Sequence, residues 1–269
     1  MRKHVYHINS ELHLPKNFIV CGRRARVDKI SSEFLKDVKI VNDGDYYVKV
    51  GMYKDMSVGV ATTGIGAASA SIAMQELVTL GARNVIRVGT CGKLRNHLKS
   101  GDICLVYAAV RNDGVTDKFA PLSYPAVVDP FLMEALLWSA RENGGVHNIF
   151  EKAPEDNAVY ACVADTKADF FLEVPISADP EKTRKEWESL IRMGVAASSM
   201  ECAVLMTRAA LLQAMLNEPV RAASLLVVVG EALSDTLYYS GDRERQLAAE
   251  GEKKAAKIAL DALYKLHDL

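Results

Sequence analysis

The sequence predicts an α/β fold in which helices cover both faces of a mainly parallel sheet. Short runs that are apolar throughout alternate along the chain with longer amphipathic segments. Strands buried on both faces have this continuous apolar pattern, whereas half-exposed strands alternate. Of the 269 residues, 49% are apolar and 25% are charged, as in an ordinary globular chain. We therefore expect one domain over residues 1–269 with a sizeable core.

The predicted elements follow one another as strand and helix. Apolar runs predict strands over 18–22, 57–64, 84–92, 102–110, 158–164 and 224–230. Amphipathic segments predict helices over 25–36, 67–80, 130–143, 181–193, from about Glu201, and over 242–267. Gly81 is expected to end the second helix, since glycine is the usual residue just past a helix. The stretches 111–128 and 165–180 are the least regular, and long loops in α/β enzymes often shape the substrate pocket.

Charge and cysteine usage exclude several function classes. The 33 basic and 34 acidic residues give a net charge of −1 without a basic stripe, which argues against nucleic-acid and membrane-surface partners. The five cysteines form no CxxC pair and the histidines no HExxH, so we expect neither a disulfide framework nor a metal. The first 15 residues lack the apolar core of a signal peptide, and no apolar run of 18 occurs; a cytoplasmic location is the expectation.

An arginine-rich turn follows the first predicted strand. It reads Gly22-Arg23-Arg24-Ala25-Arg26 at the start of a predicted helix. Helix N-termini offer free N–H groups, and the planar guanidinium suits phosphate oxygens. The turn is therefore a candidate phosphate site, or alternatively a solvated basic turn.

Arg87 stands inside the otherwise apolar run Val85–Gly92. Arginine is rarely buried without a partner, and ligands bind at the carboxyl ends of strands in open α/β sheets. Thr90 and the amides around Gly92 would then face the same crevice as Arg87. The alternative is an edge strand with Arg87 in solvent.

The glycine-rich turn Thr62–Ser69 resembles a dinucleotide fingerprint but departs from it. Ser69 replaces the third glycine, and Ile86-Arg87 stands about 20 residues on, where an acidic residue would be required. We interpret this turn as facing a ligand other than a dinucleotide.

Two carboxylates complete the candidate site. Glu201 opens an apolar helix, where it either serves as an N-terminal charge or accepts hydrogen bonds from two sugar hydroxyls. Asp235 follows the last predicted strand, where it could protonate a leaving base or cap a turn.

Four stretches carry a resemblance to a known family: TTGIGAASASIAMQEL, IRVGTCGKL, FAPLSYPAVVD and MECAVLMT. In this order they resemble the nucleoside phosphorylase-I family, which includes uridine phosphorylases and hexameric bacterial purine nucleoside phosphorylases. The similarity runs from Val5 to about Leu266. It implies a mixed, mostly parallel and partly barrel-like sheet flanked by helices. It also implies a pentosyltransferase that cleaves the N-glycosidic bond with inorganic phosphate as co-substrate, without a cofactor, giving a free base and (deoxy)ribose-1-phosphate.

The resemblance implies a role for each matching residue. The implied phosphate-binding residues are Gly22, Arg26, Arg87 and Thr90. Met200 and Glu201 match the pair that holds the ribose, while Cys91 and Gly92 match the loop beside the base. His7 matches a histidine that reaches the ribose of a neighbouring subunit, so the resemblance implies a homo-oligomer, either a dimer or a hexamer built from dimers.

The chain departs from the family pattern at three places. Gly-Asp-Pro-x-Arg is usual at the first loop, where this chain has Gly22-Arg23-Arg24-Ala25-Arg26. An arginine donated by the neighbouring subunit is expected near 44–45, where Gly44 and Asp45 stand. We interpret Arg23 as the replacement charge. The Gln-x-Arg pair with which uridine phosphorylases read uracil is absent from 165–177.

The sequence leaves open which base is released and whether the protein catalyses phosphorolysis. FAPLSYPAVVD is closer to the uridine enzymes, whereas HINSEL, the cysteine of GTCG and Ser234-Asp235 are closer to the purine enzymes. Because the first stretch is the longest, we expect a uridine phosphorylase, with a purine nucleoside phosphorylase as the alternative. A nucleosidase of the same fold would use water instead of phosphate, and the two arginines Arg26 and Arg87 argue against it. A nucleoside-binding protein without catalysis is the alternative from a different class.

Overall fold

A computed structural model of the chain describes residues 5–9, 11–173, 177–234 and 238–267. Its helices are α1 (Arg24–Phe34), α2 (Ala67–Thr79), α3 (Pro130–Glu142), α4 (Pro180–Arg192), α5 (Cys202–Leu216) and α6 (Asp242–His267). Its strands are β1 (Asn17–Cys21), β2 (Lys36–Asp43), β3 (Tyr47–Tyr53), β4 (Met56–Thr62), β5 (Asn84–Lys93), β6 (Ile103–Asn112), β7 (Ala126–Val127), β8 (His147–Asn148), β9 (Val159–Lys167), β10 (Val195–Ser199) and β11 (Arg221–Glu231). Within these ranges no helix is long and apolar enough to cross a bilayer.

The strands form one mixed sheet that closes on itself. Their order is β10-β9-β6-β11-β5-β1-β4-β3-β2, and β10 also pairs with β5. That second pairing closes β5, β11, β6, β9 and β10 into a five-stranded barrel, while β1, β4, β3 and β2 extend from it as an open sheet. β1 lies parallel to both β4 and β5, whereas β6 runs antiparallel to β11. The α/β class and the partly barrel-like sheet are confirmed.

Both faces of the central strands are buried, which explains their continuous apolar runs. Phe18 and Val20 of β1 pack in one apolar cluster with residues of α2 and α5. The intervening Ile19 and Cys21 pack in a second cluster with residues of α3 and α6. Because successive side chains of a strand point to opposite faces, each face of β1 has its own helical cover.

Gly81 follows α2, as predicted, and the structure shows why glycine is needed there. Its φ of +130° lies outside the range that side chains usually adopt, and a Cβ would stand 2.7 Å from the carbonyl oxygen of Leu14. The chain can therefore turn from α2 into β5 beneath the N-terminal segment.

The sequence missed the strands that lack the apolar pattern. β2 is mostly exposed and reads KDVKIVND, since it is the free edge of the sheet. β10 reads VAASS, which is buried but built of small residues. β10 runs antiparallel to β5 and places Ser198 opposite Gly92. β10, which the sequence did not predict, therefore brings the carboxyl ends of β9 and β10 against the carboxyl end of β5.

Candidate active site

The carboxyl ends of β1 and β5 meet those of β9 and β10 around a cleft of about 610 Å³. Its lining includes every residue that the sequence predicted for phosphate: Gly22, Arg23, Arg26, Arg87 and Thr90. Four residues predicted for the ribose and the base also line it: Met200, Glu201, Cys91 and Gly92. The glycine-rich turn contributes Ile65, in keeping with a ligand-facing turn. These predicted residues therefore share one cavity, although the first and last of them, Gly22 and Glu201, are 179 positions apart in the chain.

Arg87 and Glu201, which both line the cleft, form a buried ion pair. The Arg87 Nη2 atom lies 2.6 Å from Glu201 Oε2, and both side chains are 5% exposed. Arg87 Nη1 donates to Thr63 Oγ1 at 3.4 Å, and the Gly66 N–H donates to Glu201 Oε1 at 2.9 Å. Since β5 lies between β1 and β11, the edge-strand alternative for Arg87 is excluded.

Gly89 makes room for the Arg87 side chain on the same face of β5. A Cβ at position 89 would stand 2.8 Å from Arg87 Nε, so the guanidinium passes over the bare backbone. Nε itself is buried and has no hydrogen-bond partner among the described residues. Buried donors are nearly always paired, so an Arg87 donor without a protein partner fits a bound oxyanion.

The arginine-rich turn at the start of α1 contributes two cations to the cleft, one buried and one exposed. Arg26 is buried, its Nη2 2.6 Å from Glu252 Oε1 of α6. Arg23, the residue before α1, is exposed at the cleft and makes no side-chain capping bond. Arg24 takes a different direction, pairing with Asp43 and stacking over the Tyr47 ring at 3.8 Å. The cleft therefore has one buried cation and one cation at its rim from this turn.

Glu201 is not a simple helix-end charge. It precedes α5 but makes no side-chain capping bond to that helix. The junction is fixed by other groups: Thr166 Oγ1 accepts the Ala203 N–H at 3.0 Å, and Ser199 Oγ donates to the Asp165 carbonyl at 3.1 Å. The carboxylate of Glu201 is left to face Arg87 and the start of α2.

His7 lies outside this chain's own cleft. Its Nδ1 is 2.7 Å from Glu76 Oε1, and the backbone N–H groups of Tyr6, His7 and Ile8 also donate to the Glu76 carboxylate. Asn42 Nδ2 reaches the His7 carbonyl at 3.4 Å, which places the turn at 44–45 beside the histidine. The two positions that the resemblance assigns to a neighbouring subunit therefore lie together. Asp235 lies outside the described residues.

A second charged pair, which the sequence did not predict, also lines the cleft. Lys167, the last residue of β9, forms an ion pair with Glu173, and both side chains are about 5% exposed. Ser198 Oγ lies 3.1 Å from Lys167 Nζ and donates to Glu173 Oε1 at 3.0 Å. The sequence could have indicated this pair. Lys167 is a charged residue at the end of an apolar strand, and Arg87 was identified as a candidate site residue on the same kind of pattern.

Aromatic rings flank this pair. The rings of Phe170 and Tyr238 are stacked with centroids 5.9 Å apart, and Phe171 also lines the cleft. Lys167 Nζ lies 5.1 Å from the Phe170 ring centroid. Flat apolar surfaces beside a polar pair are what a heteroaromatic ring requires.

Burial shifts the pKa of three groups around the cleft. Burial lowers the pKa of Lys167 to about 8, although the charges of Asp165 and Glu201 oppose this. Burial raises the pKa of Asp165 to about 6, against the hydrogen bond from Asn112. A hydrogen bond with Cys104, together with burial, holds the pKa of Cys91 well above its usual value. Cys91 is therefore a neutral thiol, not a nucleophile.

Comparison with known proteins assigns the family. The model of the phosphorylase superfamily matches residues 17–264. Uridine phosphorylase of Klebsiella aerogenes is 33% identical over 71% of this chain and 73% of its own. The crystal structure of uridine phosphorylase from Vibrio fischeri has a TM-score of 0.77 and 26% identity, covering 94% of this chain and 92% of that one. Purine nucleoside phosphorylase from Toxoplasma gondii has a TM-score of 0.78 and 25% identity, with 95% and 93% covered. The chain belongs to the phosphorylase superfamily.

Proposed function

We propose that this protein is a nucleoside phosphorylase that acts on uridine-type nucleosides. A phosphate oxygen forms a bond to C1′ of the sugar while the C1′–N bond breaks, and the bonding electron pair leaves with the base. The products are the free base and ribose-1-phosphate. The observation that carries the proposal is the buried Arg87, which pairs with Glu201. Its Nε has no hydrogen-bond partner among the residues that the structure describes, and a second cation, Arg26, lines the same cleft.

The cations at one end of the cleft would bind and orient phosphate. Arg87 and Arg26 supply buried charge, Arg23 adds charge at the rim, and Gly22 and Thr90 bring the backbone and a hydroxyl close. Glu201, with Met200, would hold the ribose and face the positive charge that develops on the sugar. Positioning and preorganised charge then supply most of the catalysis. Asp235 is proposed as a proton donor to the base.

A purine nucleoside is the second candidate substrate. It is favoured by the similarity to the Toxoplasma gondii enzyme, whose fold covers 95% of this chain. Hydrolysis is disfavoured because water requires a general base and no anion site, whereas two buried arginines, Arg26 and Arg87, line the cleft. Non-catalytic nucleoside binding would leave the same contacts but no product.

We further propose a homo-oligomer whose minimal unit is a dimer, since His7 and the 44–45 turn share one face outside this chain's cleft. A dimer with C₂ symmetry is the commonest arrangement, and hexamers can be built from such dimers. Sedimentation and activity measured at the same concentration check this. A fully active monomer would refute it.

A nucleoside panel with inorganic phosphate tests the function. Uridine, thymidine, inosine and adenosine are incubated with the protein, and ³¹P NMR follows ribose-1-phosphate. We expect the phosphate ester to form fastest from uridine. Free ribose without the ester would indicate a nucleosidase, and binding without any product would indicate a non-catalytic homologue.

A further inference from the structure

The Lys167–Glu173 pair is placed where the base of a nucleoside would lie. It lines the same cleft as Arg87 and Glu201 but comes from the opposite set of strand ends. Cys91 and Gly92, the residues that match the base-side loop, line the cleft as well, and Gly92 of β5 lies opposite Ser198 on the neighbouring strand β10. Phosphate, ribose and base would therefore be bound in sequence from the arginines to this pair.

The bonds within the pair leave hydrogen-bonding capacity for a ligand. Both Lys167 Nζ and Ser198 Oγ contact the same carboxylate oxygen of Glu173, Oε1. The other oxygen, Oε2, can accept a further bond, and the ammonium has a third N–H besides those directed at Glu173 and Ser198. A carboxylate acceptor thus stands next to an ammonium donor at a cavity wall.

We infer that Lys167 and Glu173 are the residues that select the base, and that they select bases with a ring N–H beside a carbonyl oxygen, such as uracil or hypoxanthine. This inference rests on the proposed phosphorolysis. Glu173 accepts the ring N–H, and Lys167 donates to the carbonyl oxygen. The pair takes the place of the Gln-x-Arg that the sequence lacks in 165–177.

The negative charge that develops on the leaving base favours an edge with a ring N–H and a carbonyl oxygen over the amino-substituted edge of cytosine or adenine. When the glycosidic bond breaks, the base takes the electron pair, and in a carbonyl-bearing base the negative charge spreads onto the oxygen. An ammonium facing that oxygen therefore binds the transition state more strongly than the ground state. An amino-substituted edge reverses donor and acceptor, so a ring lone pair would face Glu173 and an amino group would face Lys167. Mismatched buried polar groups of this kind disfavour binding, because each loses its hydrogen bonds to water without gaining a partner.

A structural role for the pair makes a different prediction. A buried ion pair that serves only folding can often be replaced by apolar residues of similar volume without loss of stability. The informative variant is therefore the double substitution K167M/E173M, which removes both charges together. The double substitution K185M/E181M is the matched control, because that Lys–Glu pair of α4 is exposed and does not line the cleft.

The experiment compares kcat/KM for uridine with cytidine and for inosine with adenosine, with phosphate KM and Tm measured alongside. For the wild type we expect uridine to be preferred over cytidine, and inosine over adenosine, ~10²–10⁴-fold. K167M/E173M should lower kcat/KM for uridine at least ~100-fold and bring each preference within ~10-fold. Phosphate KM and Tm should stay near the wild-type values, and K185M/E181M should change nothing.

Each contrary outcome has a distinct meaning. If the wild type cleaves no nucleoside, the proposed function fails. If it cleaves nucleosides and K167M/E173M keeps both rate and preference, the pair is structural and this inference fails alone. A wild type that prefers cytidine or adenosine overturns the assigned class of base. If K167M/E173M does not fold, E173Q, which keeps the shape of the side chain, must still reduce the preference for the inference to stand.

Discussion

The two ends of the cleft are built from the same kinds of residue but by different parts of the fold. The proposed phosphate end consists of Arg87 and Arg26, positioned by the regular strands β1 and β5 and by the helix that follows β1. The proposed base end consists of Lys167 and Glu173, positioned by the end of β9 and the loop after it. Regular strands and helices hold side chains more rigidly than loops do. We therefore expect Glu173, which lies in a loop, to be less firmly positioned than Arg87 and Arg26.

Removal of Arg87 should disable the phosphate end and give the largest effect. Arg87→Ala removes a buried cation and leaves Glu201 buried without its partner. We expect kcat/KM for phosphate to fall ~10³-fold or more. Initial rates at varied phosphate measure this, with Arg24→Ala as the control, because Arg24 pairs with Asp43 outside the cleft. Near-normal phosphate kinetics for Arg87→Ala would show that Arg87 is structural.

Glu201 lies between the two ends, so its loss should affect the chemical step. Glu201→Gln keeps the shape but removes the charge that faces the sugar. Since that interaction strengthens in the transition state, kcat should fall ~100-fold while KM changes little. Glu218→Gln, at an exposed pair with Arg83, is the control. An unchanged kcat for Glu201→Gln would contradict a catalytic role.

The base end should be sensitive to alkaline pH. Burial lowers the pKa of Lys167 to about 8, so the ammonium is present below that pH and is lost as pH rises through it. The groups that act on it are Glu173, Asp165, Asp169, Glu201 and Cys91. We expect kcat for uridine to fall ~10-fold between pH 7 and pH 9.

Lys167→Gln separates this effect from ionisation of the nucleoside, because both proteins are measured on the same substrate. The variant should be slow throughout but lack the decline near pH 8. An identical decline in both proteins would show that another group titrates.

Arg23 should give the smallest effect, because it is exposed at the rim. Arg23→Asp restores the usual family residue, and we expect phosphate KM to rise a few-fold, ~3–10-fold, since exposed charges contribute little. Adding Asp45→Arg should recover part of the loss through the neighbouring subunit. A double-mutant cycle on phosphate KM measures the coupling. Strictly additive effects, or no effect of Arg23→Asp, would place Arg23 in solvent.

The sequence predicted that the residues of the proposed phosphate end would come together, because their convergence follows from strand patterns. Arg87 is a charge inside an apolar run, and Gly22 and Arg26 follow directly on another such run, so their convergence needs only adjacent parallel strands. The base end could not be derived in this way. It depends on β10, whose small residues gave no strand signal, and on its antiparallel pairing with β5. The bond between His7 and Glu76 joins residues 69 positions apart, and only the folded chain reveals it.

The most direct test of the account is the rate of base release from uridine as inorganic phosphate is raised from zero at saturating nucleoside. Because Arg87 and Arg26 are assigned to phosphate, we predict almost no release without phosphate and a saturable rise with it, one ribose-1-phosphate formed for each base. Release that is equally fast without phosphate would contradict the central claim, since the arginine end of the cleft would then have no part in the reaction.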